Sequence, residues 1–330
     1  MTNIEKLTAR ESVAINIMKA IAILSVIAAH VVSVSNINLF AKIVSSLWCL
    51  FARVGVVVFF VVGGFLYRRS VGDNKSFWKK KFFRIILPWA FCATLTYILA
   101  VIKGANFSLI EYLKWIFGSG TWYYYITIYT LFLFIFKWFY DKDVILFILI
   151  GIQIMTLTFA SFGVSTTIPF EFLTDYLNPL HWIGYFSFGI LIRKYRFDLI
   201  VRKKKYIVIA LLVAVISMFV LYCKEIFTYF NIISVIFCIS TLVVIAGFAY
   251  KIATINIAKH IGQIGIWSYC IYLLHMQIVQ TFIPIVPDGM FNIIFSPFIG
   301  LGIMVALILI GVFVCNKFKF GEKIKMMVGL

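Results

Sequence analysis

Residues 13–34 read VAINIMKAIAILSVIAAHVVSV, an apolar run that carries two ionisable side chains, Lys19 and His30. A transmembrane helix needs about 20 predominantly apolar residues, and this run is long enough to cross a bilayer. Many similar runs follow it along the chain. We therefore interpret it as an uncleaved first membrane helix and not as a secretory signal peptide.

The composition excludes an ordinary soluble protein. The 330 residues are 63% hydrophobic and 13% charged, whereas soluble domains average about 45–50% apolar and about 25% charged residues. The net charge of +18 could suggest a nucleic-acid partner. The basic residues fall between apolar runs instead of on one soluble face, so we expect a lipid bilayer and no nucleic acid as partner.

Hydropathy predicts an all-α polytopic membrane helix bundle with about ten transmembrane helices. The stretches between the apolar runs are too short for a folded soluble domain, so residues 1–330 are expected to form a single integral membrane domain. The predicted spans are residues 13–34, 46–66, 83–102, 121–138, 144–161, 180–192, 206–222, 230–250, 264–284 and 291–315.

The loop charges give an independent prediction of topology, because cytoplasmic loops collect Lys and Arg. With the N-terminus inside, most of the 30 basic residues fall in inner segments, and the outer loops hold Lys42, Lys103, Lys114 and Lys224. Adding or removing one helix would move every later loop to the other side. The pattern therefore predicts that both the N and C termini are cytoplasmic. The inner segments are residues 1–12, 67–84, 137–143, 193–205, 250–263 and 316–330.

The cysteines stand singly within or beside apolar runs, without CxxC spacing. This pattern predicts neither a disulfide framework nor a metal site. They are Cys49, Cys92, Cys223, Cys238, Cys270 and Cys315.

Ionisable side chains inside membrane spans are costly, so they are candidates for function. Lys19 and His30 are 11 residues apart, almost three helical turns, and should project from one face about 16.5 Å apart. Arg53 lies in the outer half of the second span. The structural alternative is that Lys19 extends to the inner surface and His30 packs between helices.

The ninth span carries a polar stripe on an otherwise apolar helix. Ser268, Tyr272 and His275 are spaced i, i+4 and i+7, which puts them on one face. A structural hydrogen-bond network between helices explains this stripe as well as a functional site does. Gly63 and Gly64 permit the close approach of either a helix or a ligand. The aromatic run at residues 120–125, GTWYYY, is either an interfacial belt or a platform for stacking sugars.

Four segments resemble, in order, motifs of the acyltransferase 3 family of integral membrane O-acyltransferases. Asn16 stands where aspartate is frequent, Lys19 replaces the usual arginine, and Gly63 replaces a serine. The resemblance covers nearly the whole chain. The segments are Lys19 to His30, Arg53 to Phe65, residues 79–88 (KKKFFRIILP) and residues 264–275 (IGIWSYCIYLLH).

This resemblance implies transfer of an acyl group, usually acetyl, from cytoplasmic acyl-CoA to a hydroxyl of a cell-surface or lipid-linked carbohydrate. The implied host is a bacterial cytoplasmic membrane. The expected partners are acyl-CoA (acetyl-CoA or a longer acyl-CoA), a carbohydrate or glycolipid acceptor and the lipid bilayer. No permanently bound cofactor and no metal are expected.

For the donor, we expect the nucleotide of acyl-CoA among four basic residues, with the pantetheine arm extending past Lys19. The basic loops would attract the phosphates. The residues expected around the nucleotide are Arg68, Arg69, Lys81 and Arg84.

For the chemistry, we expect His30 to act as the general base, because imidazole is poised for proton transfer near neutral pH. A transient acyl-histidine is the alternative. Arg53 and Tyr272 could orient substrates or stabilise the oxyanion, and His275 is a second base or an orienting residue. On the outside, Glu171 and Asp175 could bind an acceptor sugar.

A transporter or flippase of lipid-linked glycans is the competing interpretation. It would share the helices, the intramembrane charges and the cationic inner face. Transporters often contain inverted repeats with broken helices near the midplane, and the sequence shows no matching pair of interrupted spans. Binding of acyl-CoA would distinguish the enzyme from the transporter.

Overall fold

The computed structural model describes residues 7–67, 74–167, 172–196, 202–285 and 289–330. Across these ranges the chain is all-helical and contains no β-strand, which confirms the predicted fold class. Three predicted site residues, Arg68, Arg69 and Glu171, lie outside the described residues.

The α-helices of the described chain are joined mostly by short loops. A π-helical turn, Phe82–Ile86, links two of them, and short 3₁₀ turns flank others. The α-helices are α1 (Ala9–Val31), α2 (Leu39–Phe51), α3 (Val54–Leu66), α4 (Asn74–Lys81), α5 (Leu87–Ile102), α6 (Leu109–Phe117), α7 (Tyr124–Phe139), α8 (Asp143–Ser161), α9 (Ile183–Tyr195), α10 (Lys204–Cys223), α11 (Ile232–Ile252), α12 (Ile257–Phe282), α13 (Met290–Cys315) and α14 (Gly321–Met327).

Seven helical segments of the described chain are long and apolar enough to cross a membrane. Together they indicate a multi-pass membrane protein, while the count of ten and the orientation stay predictions. Helices α7 and α9 are shorter, at 16 and 13 residues. Helix α12 has 26 residues and is long enough, but it carries the polar stripe and is not among the seven segments. The seven segments are Ala9–Val31, Leu39–Leu66, Lys75–Ile102, Asp143–Ser161, Lys204–Cys223, Ile232–Ile252 and Met290–Cys315.

Helix α1 lies at the centre of the bundle and packs against α3, α11, α12 and α13. It begins with a capping box, in which the Thr8 hydroxyl accepts from the Glu11 amide and the Glu11 carboxylate accepts from the Thr8 amide. Gly265 brings α12 against it, because a Cβ there would lie 1.8 Å from the Asn16 carbonyl oxygen. Close packing against α12 therefore holds α1 within the bundle.

The second predicted span, 46–66, is not one continuous helix. Helix α2 ends at Phe51 and α3 begins at Val54. Ser25 of α1, which is fully buried, spans the break: its hydroxyl donates to the Phe51 carbonyl oxygen and accepts from the Gly55 amide, both at 2.8 Å. These bonds satisfy backbone groups that the interruption would leave unpaired, and they fix the position of Arg53.

The third predicted span continues α4 through the π-helical turn into α5. A π-turn leaves the regular hydrogen-bond ladder and is frequent at functional sites. Tyr269 of α12 donates to the Ile85 carbonyl oxygen of this turn at 2.6 Å. The contact fastens the basic segment at the end of α4 to the helix that bears the polar stripe.

Helices α7 and α9 are too short to cross a bilayer unaided. At 1.5 Å per residue they extend about 24 and 20 Å, less than the ~30 Å hydrocarbon core. Segments of turns and short 3₁₀ turns precede the two helices, and they include residues 118–123 and 172–182. Irregular backbone is tolerated at membrane depth where it lines a cavity, and such a cavity is present here.

Candidate functional site

The first cavity, about 540 Å³, lies toward the end of the bundle that the charge pattern predicts to face the cytoplasm; we call it the inner cavity. Four cationic side chains line it, and no described carboxylate does. They come from α1, α4 and the π-turn. The cations are Lys19, Lys80, Lys81 and Arg84, and the other polar lining residues are Ser268, Tyr125, Tyr129, Tyr269 and Tyr272.

The inner cavity brings together part of the predicted donor site. Lys19, Lys81 and Arg84 were expected near acyl-CoA, and the structure places all three on this one cavity. Lys80 was not singled out from the sequence, although it stands in the same basic run. Gly63 also lines the cavity, whereas a Cβ on Gly64 would lie 2.0 Å from the Phe186 carbonyl oxygen, so Gly64 serves the packing of α3 on α9.

The second cavity, about 700 Å³, lies toward the opposite end of the bundle; we call it the outer cavity. Apart from tyrosines, its ionisable residues are His30, Arg53 and Asp175. The rest of its wall is mainly aromatic and hydroxylic. These lining residues are Trp115, Trp122, Tyr124, Tyr176, Tyr229, Thr121 and Thr174, with Gln280 and Met276.

Arg53 occupies the break between α2 and α3, and it reaches the outer cavity from there. Its guanidinium carbon lies 5.1 Å from the centroid of the Tyr229 ring, a cation–π contact. The Tyr229 hydroxyl in turn donates to the Ala52 carbonyl oxygen at 3.1 Å. The buried Nε of Arg53 has no hydrogen-bond partner in the described protein. A donor so placed is available to an oxygen atom of a ligand.

His30 and His275 form a close pair between α1 and α12. Their ring centroids are 5.0 Å apart. His30 is exposed to the outer cavity, whereas His275 is fully buried. Nδ1 of His275 lies 2.7 Å from the Tyr272 carbonyl oxygen. Because a carbonyl oxygen can only accept, Nδ1 carries the proton and Nε2 of neutral His275 is an acceptor; within the described structure that Nε2 has no partner.

A wall separates the two cavities where α7 begins against the middle of α12. The Tyr272 hydroxyl donates to the Trp122 carbonyl oxygen. In return, the Tyr123 hydroxyl donates to the Leu273 carbonyl oxygen at 3.0 Å. Tyr272 lines the inner cavity and Trp122 the outer one. These four residues form the wall. Because of it, Tyr272 lies on the inner cavity and Arg53 on the outer one, so the two residues do not form the single cluster that a shared role would require.

The rim of the outer cavity is shaped by the irregular segment before α9. Asp175 accepts a hydrogen bond from the Thr167 hydroxyl at 2.6 Å. His181, which is buried, holds this turn from behind: its Nδ1 lies 2.9 Å from the Asp175 carbonyl oxygen and its Nε2 lies 2.7 Å from the Thr166 hydroxyl. The Asp175 side chain is thus presented to the cavity by an ordered turn.

Sequence patterns did not identify several residues of the outer cavity. Trp115 belongs to α6, a helix within a predicted outer loop, and Tyr229 belongs to the loop between α10 and α11. Their one sequence signal is the concentration of aromatic residues near predicted span ends, and an interfacial belt gives the same signal. Ser25 was missed because a serine in a membrane helix carries no distinctive pattern.

The comparisons with known proteins agree with this architecture. A family model described as an acyltransferase domain, that of the acyltransferase 3 family, matches residues 12–317. The chain therefore belongs to the acyltransferase 3 family and is an enzyme that transfers acyl groups. Neither the curated proteins nor the solved structures give a match. Membership in an enzyme family favours catalysis over the transporter interpretation.

Proposed function

We propose that this protein is a membrane O-acyltransferase that moves an acyl group, most simply acetyl, from acyl-CoA in the inner cavity to a carbohydrate hydroxyl in the outer cavity. The acceptor is a cell-surface or lipid-linked sugar, and the host is a bacterial cytoplasmic membrane. The observation that carries the proposal is the pairing of His30, which lines the aromatic outer cavity, with the buried His275. Across the wall lies a cavity whose lysine and arginine residues face no described carboxylate.

The charge of the inner cavity supports acyl-CoA as the donor. The nucleotide part of acyl-CoA carries several phosphate charges, and a cavity lined by one sign of charge concentrates the opposite sign. Lys80, Lys81 and Arg84 would hold the phosphates. Lys19, which lines the same cavity from α1, would contact the arm that leads to the thioester.

The lining of the outer cavity supports a carbohydrate acceptor. Sugar rings present C–H faces that pack on large aromatic rings and hydroxyls that need hydrogen-bond partners. Trp115 and Trp122 lie with ring centroids 5.6 Å apart on one side of the cavity, and Asp175 is a carboxylate acceptor at its rim. These groups would hold the sugar with one hydroxyl toward His30.

The reaction then needs a base for the attacking hydroxyl and a hydrogen-bond donor that stabilises the oxyanion of the tetrahedral intermediate. His30 takes the proton of the attacking hydroxyl, and the oxygen adds to the thioester carbonyl carbon. Arg53 donates to the oxyanion, which collapses as the C–S bond breaks, and the leaving CoA thiolate takes the proton held by His30. Nε2 of His275 has no partner in the described protein, and it would accept a hydrogen bond from the neighbouring His30 ring once that ring is protonated. The bond from Tyr272 to Trp122 must open for the thioester to reach His30.

Labelled acetyl-CoA tests the proposal directly. Membranes that contain the wild type or His30→Ala would be incubated with acetyl-labelled acetyl-CoA, and base-labile label would be followed into glycan and glycolipid fractions. We expect label with the wild type and a loss with His30→Ala. Absence of label with folded wild type, together with absence of acyl-CoA binding, would reject the proposed donor and reaction.

A further inference from the structure

Among the described residues, four tyrosines line the inner cavity, and their hydroxyls are used differently. Tyr269 and Tyr272 each donate to a backbone carbonyl oxygen. The hydroxyls of Tyr125 and Tyr129 have no hydrogen-bond partner in the described protein, and neither belongs to the polar atoms that packing seals from access. These two hydroxyls are therefore open to the inner cavity and available to a ligand.

Tyr125 and Tyr129 lie on one face of α7; we call them the tyrosine pair. They are four residues apart, about 6 Å along the helix axis, and their ring centroids are 5.8 Å apart. Tyr125 is the member beside the wall, because its ring centroid lies 5.3 Å from that of Tyr272. Tyr129 lies one turn farther along α7, toward the end predicted to face the cytoplasm. The tyrosine pair thus follows the cavity inward from the wall.

Gly63 leaves free the space that the Tyr129 ring occupies. A Cβ at position 63 would lie 2.6 Å from Cε2 of Tyr129, well inside the contact distance of about 3.5–4.0 Å between two carbon atoms. Cε2 adjoins the carbon that bears the hydroxyl, so the polar end of the ring lies over Gly63. The ring also packs against Phe186, with centroids 5.9 Å apart. Packing, and not a hydrogen bond within the described protein, therefore sets the position of this hydroxyl.

We propose that the tyrosine pair binds the pantetheine arm of acyl-CoA, an inference that rests on the proposed function. The arm is uncharged and carries two successive amides, whose N–H and C=O groups need new partners when they leave water. A phenol hydroxyl both donates and accepts, so each tyrosine suits one amide. The cations of the same cavity, Lys80, Lys81 and Arg84, suit the phosphates. The tyrosine pair would hold the thioester end of the arm beside the wall.

Calorimetry on the full-length protein in detergent tests the inference without measuring catalysis. It compares CoA with adenosine 3′,5′-bisphosphate, which has the nucleotide without the arm. We expect Tyr125→Phe and Tyr129→Phe each to weaken CoA binding about two- to tenfold, the usual contribution of one hydrogen bond, and to leave bisphosphate binding unchanged. Tyr112→Phe is the matched control, because it removes a tyrosine hydroxyl outside the inner cavity, and it should bind both ligands like the wild type.

The outcomes separate this inference from the proposed function. Equal weakening of both ligands would assign the tyrosine pair to the nucleotide, and unchanged CoA binding would remove the pair from the arm; either result overturns the inference while the donor stands. A wild type that binds neither ligand would reject acyl-CoA as the donor, and the inference with it.

Gly63→Ala tests the position of the Tyr129 hydroxyl without removing it. The added methyl group meets the free end of a side chain, so the ring can move while the fold is kept. We expect CoA binding to weaken by about the same factor as in Tyr129→Phe. The double variant should be no weaker than either single variant, because both changes remove one shared contact. Losses that multiply would show that the methyl group obstructs the cavity by itself, and would overturn the role given to Gly63.

Discussion

The ring of His30 lies 5.0 Å from that of His275, at an interplanar angle of 48°. One ring is open to the outer cavity and the other is fully buried behind it. The buried ring donates through Nδ1 to the Tyr272 carbonyl oxygen, so its tautomer is fixed by its own helix. The pair therefore consists of an accessible imidazole, His30, and a buried imidazole, His275, whose unprotonated Nε2 can accept a hydrogen bond.

The two histidines should respond differently to substitution. His30→Ala should lower acyl transfer by about 10²–10⁴-fold, the usual contribution of a general base, with normal folding and membrane insertion. At position 275, His275→Gln places an amide near the original Nε2, whereas His275→Asn places it near Nδ1. We expect the glutamine variant to retain more activity in the labelled acetyl-CoA assay. Greater activity of the asparagine variant would mean that the Tyr272 contact matters more than Nε2.

Lys19→Ala should raise the apparent KM for acyl-CoA more than that for the acceptor, because Lys19 lines the inner cavity and not the outer one. The converse variant, Trp115→Ala, should raise the acceptor KM and leave the acyl-CoA KM near its original value. Steady-state kinetics with each substrate varied in turn would measure both. An unchanged acyl-CoA KM in Lys19→Ala would remove this residue from the proposed donor path.

Ser25→Ala should destabilise the protein by about 1–3 kcal/mol, since the Phe51 carbonyl and the Gly55 amide both lose their partner at the helix break. Ser46→Ala is the control, because the Ser46 hydroxyl is buried and has no partner in the described protein. Thermal unfolding in detergent would compare the two. A loss of stability in Ser46→Ala as large as that in Ser25→Ala would show that cavity formation, and not the hydrogen bonds, is responsible.

Tyr272→Phe should loosen the wall between the cavities. Without the bond to the Trp122 carbonyl oxygen, water from the outer cavity gains access to the thioester, so acyl-CoA hydrolysis without an acceptor should rise severalfold. Release of free thiol would report it. Tyr112→Phe removes the hydroxyl that contacts Thr94 away from the wall, and it should hydrolyse acyl-CoA at the wild-type rate. Equal rates in wild type and Tyr272→Phe would show that this bond does not seal the wall.

The fold class and part of the site could be predicted from the sequence, because both depend on local patterns. Long apolar runs give membrane helices, and an 11-residue spacing puts Lys19 and His30 on one helix face. The structure puts Lys19 on the inner cavity and His30 on the outer one, as expected for residues far apart along one axis. The basic run before Pro88 likewise indicated Lys81 and Arg84.

The remaining features depend on contacts between distant segments, which spacing does not encode. The break before Arg53 is stable because Ser25, on another helix, bonds to both of its ends. The stripe on α12 predicted one polar face, but the aromatic segment before α7 divides it, so that Tyr272 and His275 have different surroundings. Position along one helix could not reveal which second helix supplies the partner.

The wall between the cavities also has an electrical consequence. Aqueous cavities that enter a protein from both sides concentrate the membrane potential across the thin layer between them. Each elementary charge that crosses the full potential involves about 2.3 kcal/mol per 100 mV. In the proposed reaction a neutral acyl group crosses the wall and a neutral CoA thiol carries the proton back, so no net charge crosses, while the donor phosphates would stay beside Lys80, Lys81 and Arg84. The acyl-transfer step should therefore proceed at the same rate in energised and de-energised membranes, in contrast to transport of a charged solute.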